Sequence, residues 1–368
     1  MSNNVDLYYV HLFNDFSGSP RVLRDAIESQ VTLSSNTYVF TSAHRGFLDD
    51  IDAHKVTCFY ARSTSRYIQL FYYLLSQLLL FIQLSSYLLL SRLKGRKSTV
   101  VVNTMLPFGA LLAGKLVGSV VVSYIHETYI KPVLLKRFLR VCIEHCANHV
   151  IFVSKYLQSV ESFSKPTQTT IYNGIRSDFS LTKKVDKTLK FSEKKLFFAG
   201  SLKEYKGIEQ LFELAQSLPE FEVIAALNCS DNELSRFVQG RCLPENITLL
   251  ARPPDIERYF GISFAVLNLT LPDQVIETFG LSLMEGMACG SPVVAPAVGG
   301  PIEFVNSSNG FLVDARNTGE IVKFLRYLNS SLDIWILFSD QAFLTSKKFT
   351  NSVFQRNFKL YFEEHNLL

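Results

Sequence analysis

An α/β fold with two doubly wound parallel sheets is predicted by three features of this sequence. Short apolar runs rich in β-branched residues alternate with stretches of helical periodicity, as strands buried on both faces require. At 368 residues the chain exceeds one compact core and suits two. A polar, lysine-rich stretch from Tyr172 to Lys195, YNGIRSDFSLTKKVDKTLKFSEKK, interrupts the strand–helix rhythm and reads as a linker.

In the first half, strands are expected at Val5–Phe13, Asn36–Phe40, Thr99–Thr104, Ser119–Ile125, His149–Val153 and Thr169–Tyr172. In the second half they are expected at Lys195–Ala199, Glu222–Ala226, Ile247–Leu250, Phe264–Leu269, Pro292–Ala295 and Gly310–Val313. Helices separate nearly all of them. Domains are therefore expected at 1–175 and 176–344, with a last helical stretch at 345–368 that returns to the first domain. In such sheets ligands bind beyond the carboxyl ends of the strands, which places the expected site in a cleft between the domains.

The segment Tyr67–Ser91, YIQLFYYLLSQLLLFIQLSSYLLLS, holds no charge for 25 residues, long enough to cross a bilayer. It lies, however, between VDLYYVHLF and STVVVNTM, which look like neighbouring strands of one sheet, and a crossing would separate them. Gln69, Ser76 and Gln83 also draw a polar stripe along it. Peripheral contact with a membrane surface through 67–91 satisfies both facts. Arg62 and Arg66 before the helix, and Arg92, Lys94, Arg96 and Lys97 after it, would meet anionic head groups.

A net charge of +4 does not call for nucleic acid and suits phosphorylated ligands. Six cysteines without framework spacing fit reduced thiols, and MSNNVDLYYVHLF has no basic n-region, so a cytoplasmic protein peripheral on the inner face of the plasma membrane is expected.

Chemistry concentrates in the second half. LFFAGSLKEYKGIEQ ends a strand at Ala199 and opens a helix near Gly207; backbone amides at that start form an anion site, with Lys203 and Lys206 as candidates to meet a phosphate. ETFGLSLMEGMACGSPVVAPAVGG places Glu277 at the end of a strand-following loop and Phe279-Gly280 at a helix start. Glu285 follows on the helix side that carries Leu281, where a carboxylate can accept from both hydroxyls of a ribose. Gly299-Gly300 permits a close backbone approach before Glu303. In the first half, Gly18-Ser19-Pro20 lies between a strand and a helix, with Arg21 adding charge, and His126 stands just past a strand end.

From about Val150 to Asp314 this pattern resembles the retaining GT-B glycosyltransferases of glycosyltransferase family 4. Their Glu-x7-Glu signature is matched by Glu277 and Glu285. Further matches are Gly200 with Lys206-Gly207, Phe279-Gly280-Leu281, Gly290-Ser291-Pro292, Gly299-Gly300-Pro301, Asn173-Gly174 and Ser154. The resemblance implies two Rossmann-like domains of the GT-B fold and transfer of a sugar from a UDP- or GDP-sugar to a saccharide or lipid-linked saccharide acceptor. Retention of configuration, metal-independence and a place in bacterial cell-surface polysaccharide assembly go with that reading. It implies catalytic roles for His126, Glu277 and Lys206. Donor contacts would come from Gly18, Gly200, Ser201, Lys203, Lys206, Thr278, Phe279, Gly280, Leu281 and Glu285. Ser201 departs from the family, which usually has arginine there.

Two other readings share these features: a nucleotide-sugar epimerase of similar architecture, and a non-catalytic partner of another transferase. No metal site is expected. Cys142, His145, Cys146 and His149 would lie on one helix face, which cannot enclose a tetrahedral ion, and Asp50-Ile51-Asp52 sits in a polar loop.

Overall fold

The computed structural model describes residues 5–30, 36–176, 179 and 186–368; residues 177, 178 and 180–185 of the expected linker lie outside them. The chain divides into two compact units, Met1–Gly174 with Ser352–Leu368, and Ile175–Asn351.

The first unit runs β1 (Val5–Val10), α1 (Gly18–Glu28), β2 (Asn36–Ser42), β3 (His54–Cys58), α2 (Arg66–Leu93), β4 (Lys97–Asn103) and α3 (Phe108–Val117). It continues with β5 (Val120–Ile125), α4 (Val133–Cys146), β6 (His149–Phe152), α5 (Lys155–Glu161) and β7 (Thr167–Thr170). Among the described residues these strands form one parallel sheet in the order β3-β2-β1-β4-β5-β6-β7. β1 and β4 are neighbours, Val5 to Val10 pairing with Lys97 to Val102, and the winding reverses there. The carboxyl ends of β1 and β4 are thus the switch point of this sheet.

β3 is absent from the strands expected above. It is an edge strand with only Val56 and Cys58 buried, so no continuous apolar run announces it.

α2 lies against its own unit. Leu80, Leu84 and Leu88 are buried, and Tyr8 Oη, Ser91 Oγ and Asp6 Oδ2 are linked by steps of 2.6 and 2.6 Å. Of the polar stripe, Ser76 is buried and donates to Tyr73 O at 2.7 Å within the helix, while Gln69 and Gln83 are half-buried; the neighbouring Gln77 is buried too. Gly109 N donates to Gln77 Oε1 at 3.0 Å, Ser63 N to Gln69 Oε1 at 2.9 Å, and Gln83 Nε2 to Thr57 O at 3.3 Å. Tyr67, Leu70, Phe71, Leu74, Leu78, Ile82 and Leu93 are exposed instead. The helix is long and apolar enough to cross a membrane by length and composition, but the pairing of β1 with β4 on either side of it in sequence holds it on the sheet.

The second unit runs α6 (Lys187–Glu193), β8 (Lys195–Gly200), a 3₁₀ turn (Glu204–Lys206), α7 (Ile208–Ser217), β9 (Glu222–Leu227), α8 (Asp231–Val238) and β10 (Ile247–Ala251). It continues with α9 (Ile256–Ile262), β11 (Ala265–Leu267), α10 (Leu281–Ala288), β12 (Val293–Ala295), a 3₁₀ turn (Gly300–Glu303), β13 (Gly310–Leu312), α11 (Thr318–Leu328) and α12 (Leu332–Ser346). The sheet order is β10-β9-β8-β11-β12-β13, with its switch point between β8 and β11. Trp335, the single tryptophan, is buried in this core and donates to Phe264 O at 2.9 Å.

α6 corrects part of the linker reading. Lys190 is buried, donating to Cys289 O and Ser291 Oγ, both at 2.8 Å, and burial pushes its amine down to about 7. The last helix, α13 (Asn351–Glu364), belongs to the first unit from Ser352 onward. There Leu367 O accepts from Thr99 Oγ1 at 2.8 Å, and Phe358 packs on Tyr124.

Candidate active site

In the second unit the switch point gathers residues from three loops. After β8, the chain turns through the 3₁₀ segment so that Lys206 ends beside the loop that follows β11. Gly207 closes the turn at φ +78°, and a Cβ there would meet Leu269 O at 2.2 Å, so only glycine fits. Lys206 Nζ lies 2.9 Å from Glu277 Oε2 and 3.3 Å from Thr270 Oγ1. Asn268 Nδ2 donates to the same carboxylate oxygen at 3.0 Å, and Thr270 Oγ1 donates to Asn268 Oδ1 at 2.7 Å. Burial alone would push the Glu277 carboxyl up; the Lys206 charge and the Asn268 and Lys206 hydrogen bonds outweigh it and hold the group below its usual range. The Lys206 amine is raised, the Glu277 charge overcoming desolvation.

The Gly299-Gly300 pair serves this arrangement. A Cβ on Gly299 would meet Glu277 O at 2.2 Å and one on Gly300 would meet Thr278 O at 2.3 Å, while Gly300 N donates to Glu277 O at 2.9 Å. The close approach expected from the two glycines is therefore made to the Glu277–Thr278 backbone. Phe279 is buried against Phe304 and Phe349, so its side chain anchors the loop. Gly280 caps α10, which begins at Leu281 rather than at Phe279. Glu285, buried in α10, pairs with Arg176, Nε to Oε1 at 2.9 Å.

Gly200 ends β8, and Ser201 O accepts from Lys203 N at 2.8 Å. Lys203 is exposed, and its charge acts on Glu233 of α8.

In the first unit, the switch point holds a hydrogen-bonded chain. His126, next after β5, contacts Asn103 Oδ1 through Nε2 at 2.7 Å, and Asn103 Nδ2 reaches His11 Nδ1 at 3.0 Å and Ser19 O at 3.1 Å. An amide oxygen only accepts, so His126 carries its proton on Nε2. Burial pushes His126 down to about 3, helped by His11, and His11 down to about 4. Glu127 accepts from Met105 N at 2.7 Å and from His126 N at 3.2 Å; burial lifts its carboxyl to about 7. Gly18 is the first residue of α1 rather than a loop residue, with Ser17 as its N-cap. Arg21 is paired with Asp25 at 2.6 Å.

Sequence reasoning found His126 but not His11, Asn103 or Glu127; strand-end position next to the sheet reversal was the signal available for His11 and Asn103. Ser154 caps α5, accepting from Leu157 N at 3.1 Å, and Asn173 accepts from Tyr124 Oη at 3.3 Å. Cys142, His145 and Cys146 lie on α4, but His149 begins β6 and contacts Tyr361 Oη at 3.0 Å, so the four do not share a helix face. Among the described residues no three His, Cys, Asp or Glu side chains are grouped to hold a metal.

Residues 181–331 match the family described as Glycosyl transferases group 1. A D-inositol 3-phosphate glycosyltransferase of Mycolicibacterium smegmatis is 30% identical over 35% of this chain and 31% of its own length. An uncharacterized glycosyltransferase of Haemophilus influenzae is 27% identical over 45% of this chain and 47% of its own. The chain thus spans less than half the length of these curated relatives. Among solved structures, Anabaena HepE in complex with UDP and glucose superposes with a TM-score of 0.77 at 17% identity, over 97% of this chain and 99% of that one. WaaG, a glycosyltransferase involved in lipopolysaccharide biosynthesis, does so at 0.71 and 12% identity over 96% and 99%. The fold is that of the GT-B glycosyltransferases, and residues 181–331 of the second unit are similar to the Glycosyl transferases group 1 family.

Proposed function

We propose that this protein is a glycosyltransferase that moves a sugar from a nucleotide-diphosphate sugar to a hydroxyl of a lipid-linked saccharide, with retention of anomeric configuration, in bacterial cell-surface polysaccharide assembly. The observation that carries the reading is the Lys206–Glu277 pair, held by Asn268 at the switch point of the second sheet. A mostly buried cation there opposes the charge that develops on a departing diphosphate, and a fixed carboxylate beside it accepts from hydroxyls of the transferred sugar.

In this reading Glu285 meets the ribose. Gly200, Ser201, Thr278, Phe279, Gly280 and Leu281 offer backbone to the donor, Lys203 adds charge, and Gly18 and His126 serve from the first unit. The leaving phosphate takes the acceptor's proton, so neither a protein base nor a metal is required. The UDP found with HepE favours a UDP-sugar, with GDP-sugars the other choice. The exposed apolar face of α2, with basic residues at both ends, supports contact with the inner face of the plasma membrane, where a lipid-linked acceptor would lie.

The test is release of nucleoside diphosphate by purified protein given UDP- or GDP-sugars and lipid-linked saccharides, with and without EDTA. Acceptor-dependent release that survives EDTA supports the reading. Conversion of the donor sugar without any acceptor would establish the epimerase instead.

A further inference from the structure

We infer that Arg176 is a positioning residue for pentose recognition, holding the Glu285 carboxylate in the orientation that meets the ribose hydroxyls. The inference rests on the donor-binding reading above and adds to it a residue outside the signature motif. Arg176 Nε lies 2.9 Å from Glu285 Oε1, with the two side chains 14% and 11% exposed. The guanidinium is fixed from another side by Phe179, its carbon 5.2 Å from the ring centroid, and Phe179 is itself buried edge-on against Phe260 at 5.4 Å. The backbone just before it is tied down, Ile175 N donating to Phe349 O at 2.8 Å and Ile175 bridging to Thr350.

A glutamate on a helix retains rotation about its terminal bonds, and a vicinal diol is recognised only when both carboxylate oxygens lie in the right plane. A cation held beside one carboxylate oxygen narrows that rotation before the ligand arrives. The same contact neutralises a carboxylate buried within α10.

The experiment measures affinities of UDP, GDP and their 2′-deoxy counterparts, and of uridine and guanosine, for the wild-type chain, Arg176→Gln and Arg176→Lys. Wild type should favour the ribo form by about tenfold or more, as a hydrogen bond to a charged acceptor implies. Arg176→Gln should lose most of that preference while still favouring diphosphates over nucleosides; Arg176→Lys should recover part of it. Should Arg176→Gln fail to fold, Arg176→Lys reads the same ratio. An unchanged ribo preference in the variants overturns the inference, as does equal weakening of ribo and deoxy forms, which would make Arg176 a phosphate contact or a purely structural one. If no diphosphate binds the wild type, the donor reading itself falls and takes this inference with it.

Discussion

Lys206 and Glu277 stabilise each other's charged forms. The carboxylate is desolvated, and the charge and hydrogen bond of Lys206 with the Asn268 amide make its ionised form the favoured one. Because its folded pKa lies below the ordinary value of 4.5, the pair's contribution is complete above that pH and is lost as pH falls through the folded value. Glu277→Gln should therefore be less stable than wild type at pH 7, and urea titrations carried down to pH 3 should show the gap closing below about 4.5; a constant gap would contradict the assignment. Lys206→Met, which leaves the carboxylate without its cation, should cost about 1–3 kcal/mol and remove nucleotide binding. In the first unit two signs oppose each other. His11 and His126, depressed to about 4 and 3, give stability that is full above 6.5 and falls with acidification. Glu127, raised to about 7, gives stability that is present below 4.5 and is lost as pH rises through 7. Removing the Glu127 contribution with Glu127→Gln should steepen the fall between pH 6.5 and 4.5 relative to wild type in pH-dependent urea titrations.

At the scale of elements, α2 separates two kinds of apolar residue that look the same in sequence. Leu84 is buried, and Leu84→Ala should cost about 2–5 kcal/mol. Leu74, Leu78 and Ile82 are exposed, so changing all three to Gln should leave the unfolding midpoint nearly unmoved. The same triple variant should bind less to phosphatidylglycerol vesicles in a sedimentation assay, and wild type should prefer these to phosphatidylcholine. Equal sedimentation of variant and wild type would remove the membrane assignment from this helix. That the helix exists is legible from its run of uncharged residues. Which side faces out is not, because Gln69 and Gln83 find partners on the loop and strand beside them and Ser76 on its own helix at Tyr73 O, and a polar stripe satisfied inside the protein reads in sequence like one facing water. β3 escaped notice for a related reason: an edge strand with two buried side chains lacks the apolar run that marks the central strands.

For the whole molecule, the sequence exposes whatever is encoded over a short span. Both parallel sheets follow from β-branched runs, and Lys206, Glu277 and Glu285 follow from local spacing beside strand ends. The contacts it hides join parts of each unit that are distant in sequence. His11 meets Asn103 only because β1 and β4 are neighbours, Arg176 meets Glu285 from a stretch that reads as linker, and Lys190 looks like one solvated lysine among several. Nucleotide binding tests the candidate site of the second unit. A thermal-shift series with UDP, GDP and ADP and their sugars should single out one base, since a ligand at a hundred times its dissociation constant adds roughly 2.7 kcal/mol of stability. Glu285→Ala should remove most of that increment. Cys142→Ala alters a buried residue of α4 in the other unit, so it should lower the baseline midpoint and leave the ligand-induced increment intact. Because the two variants both perturb buried positions, loss of the increment in both would mean that it reports general stability. Loss in Glu285→Ala alone ties it to recognition by the second unit.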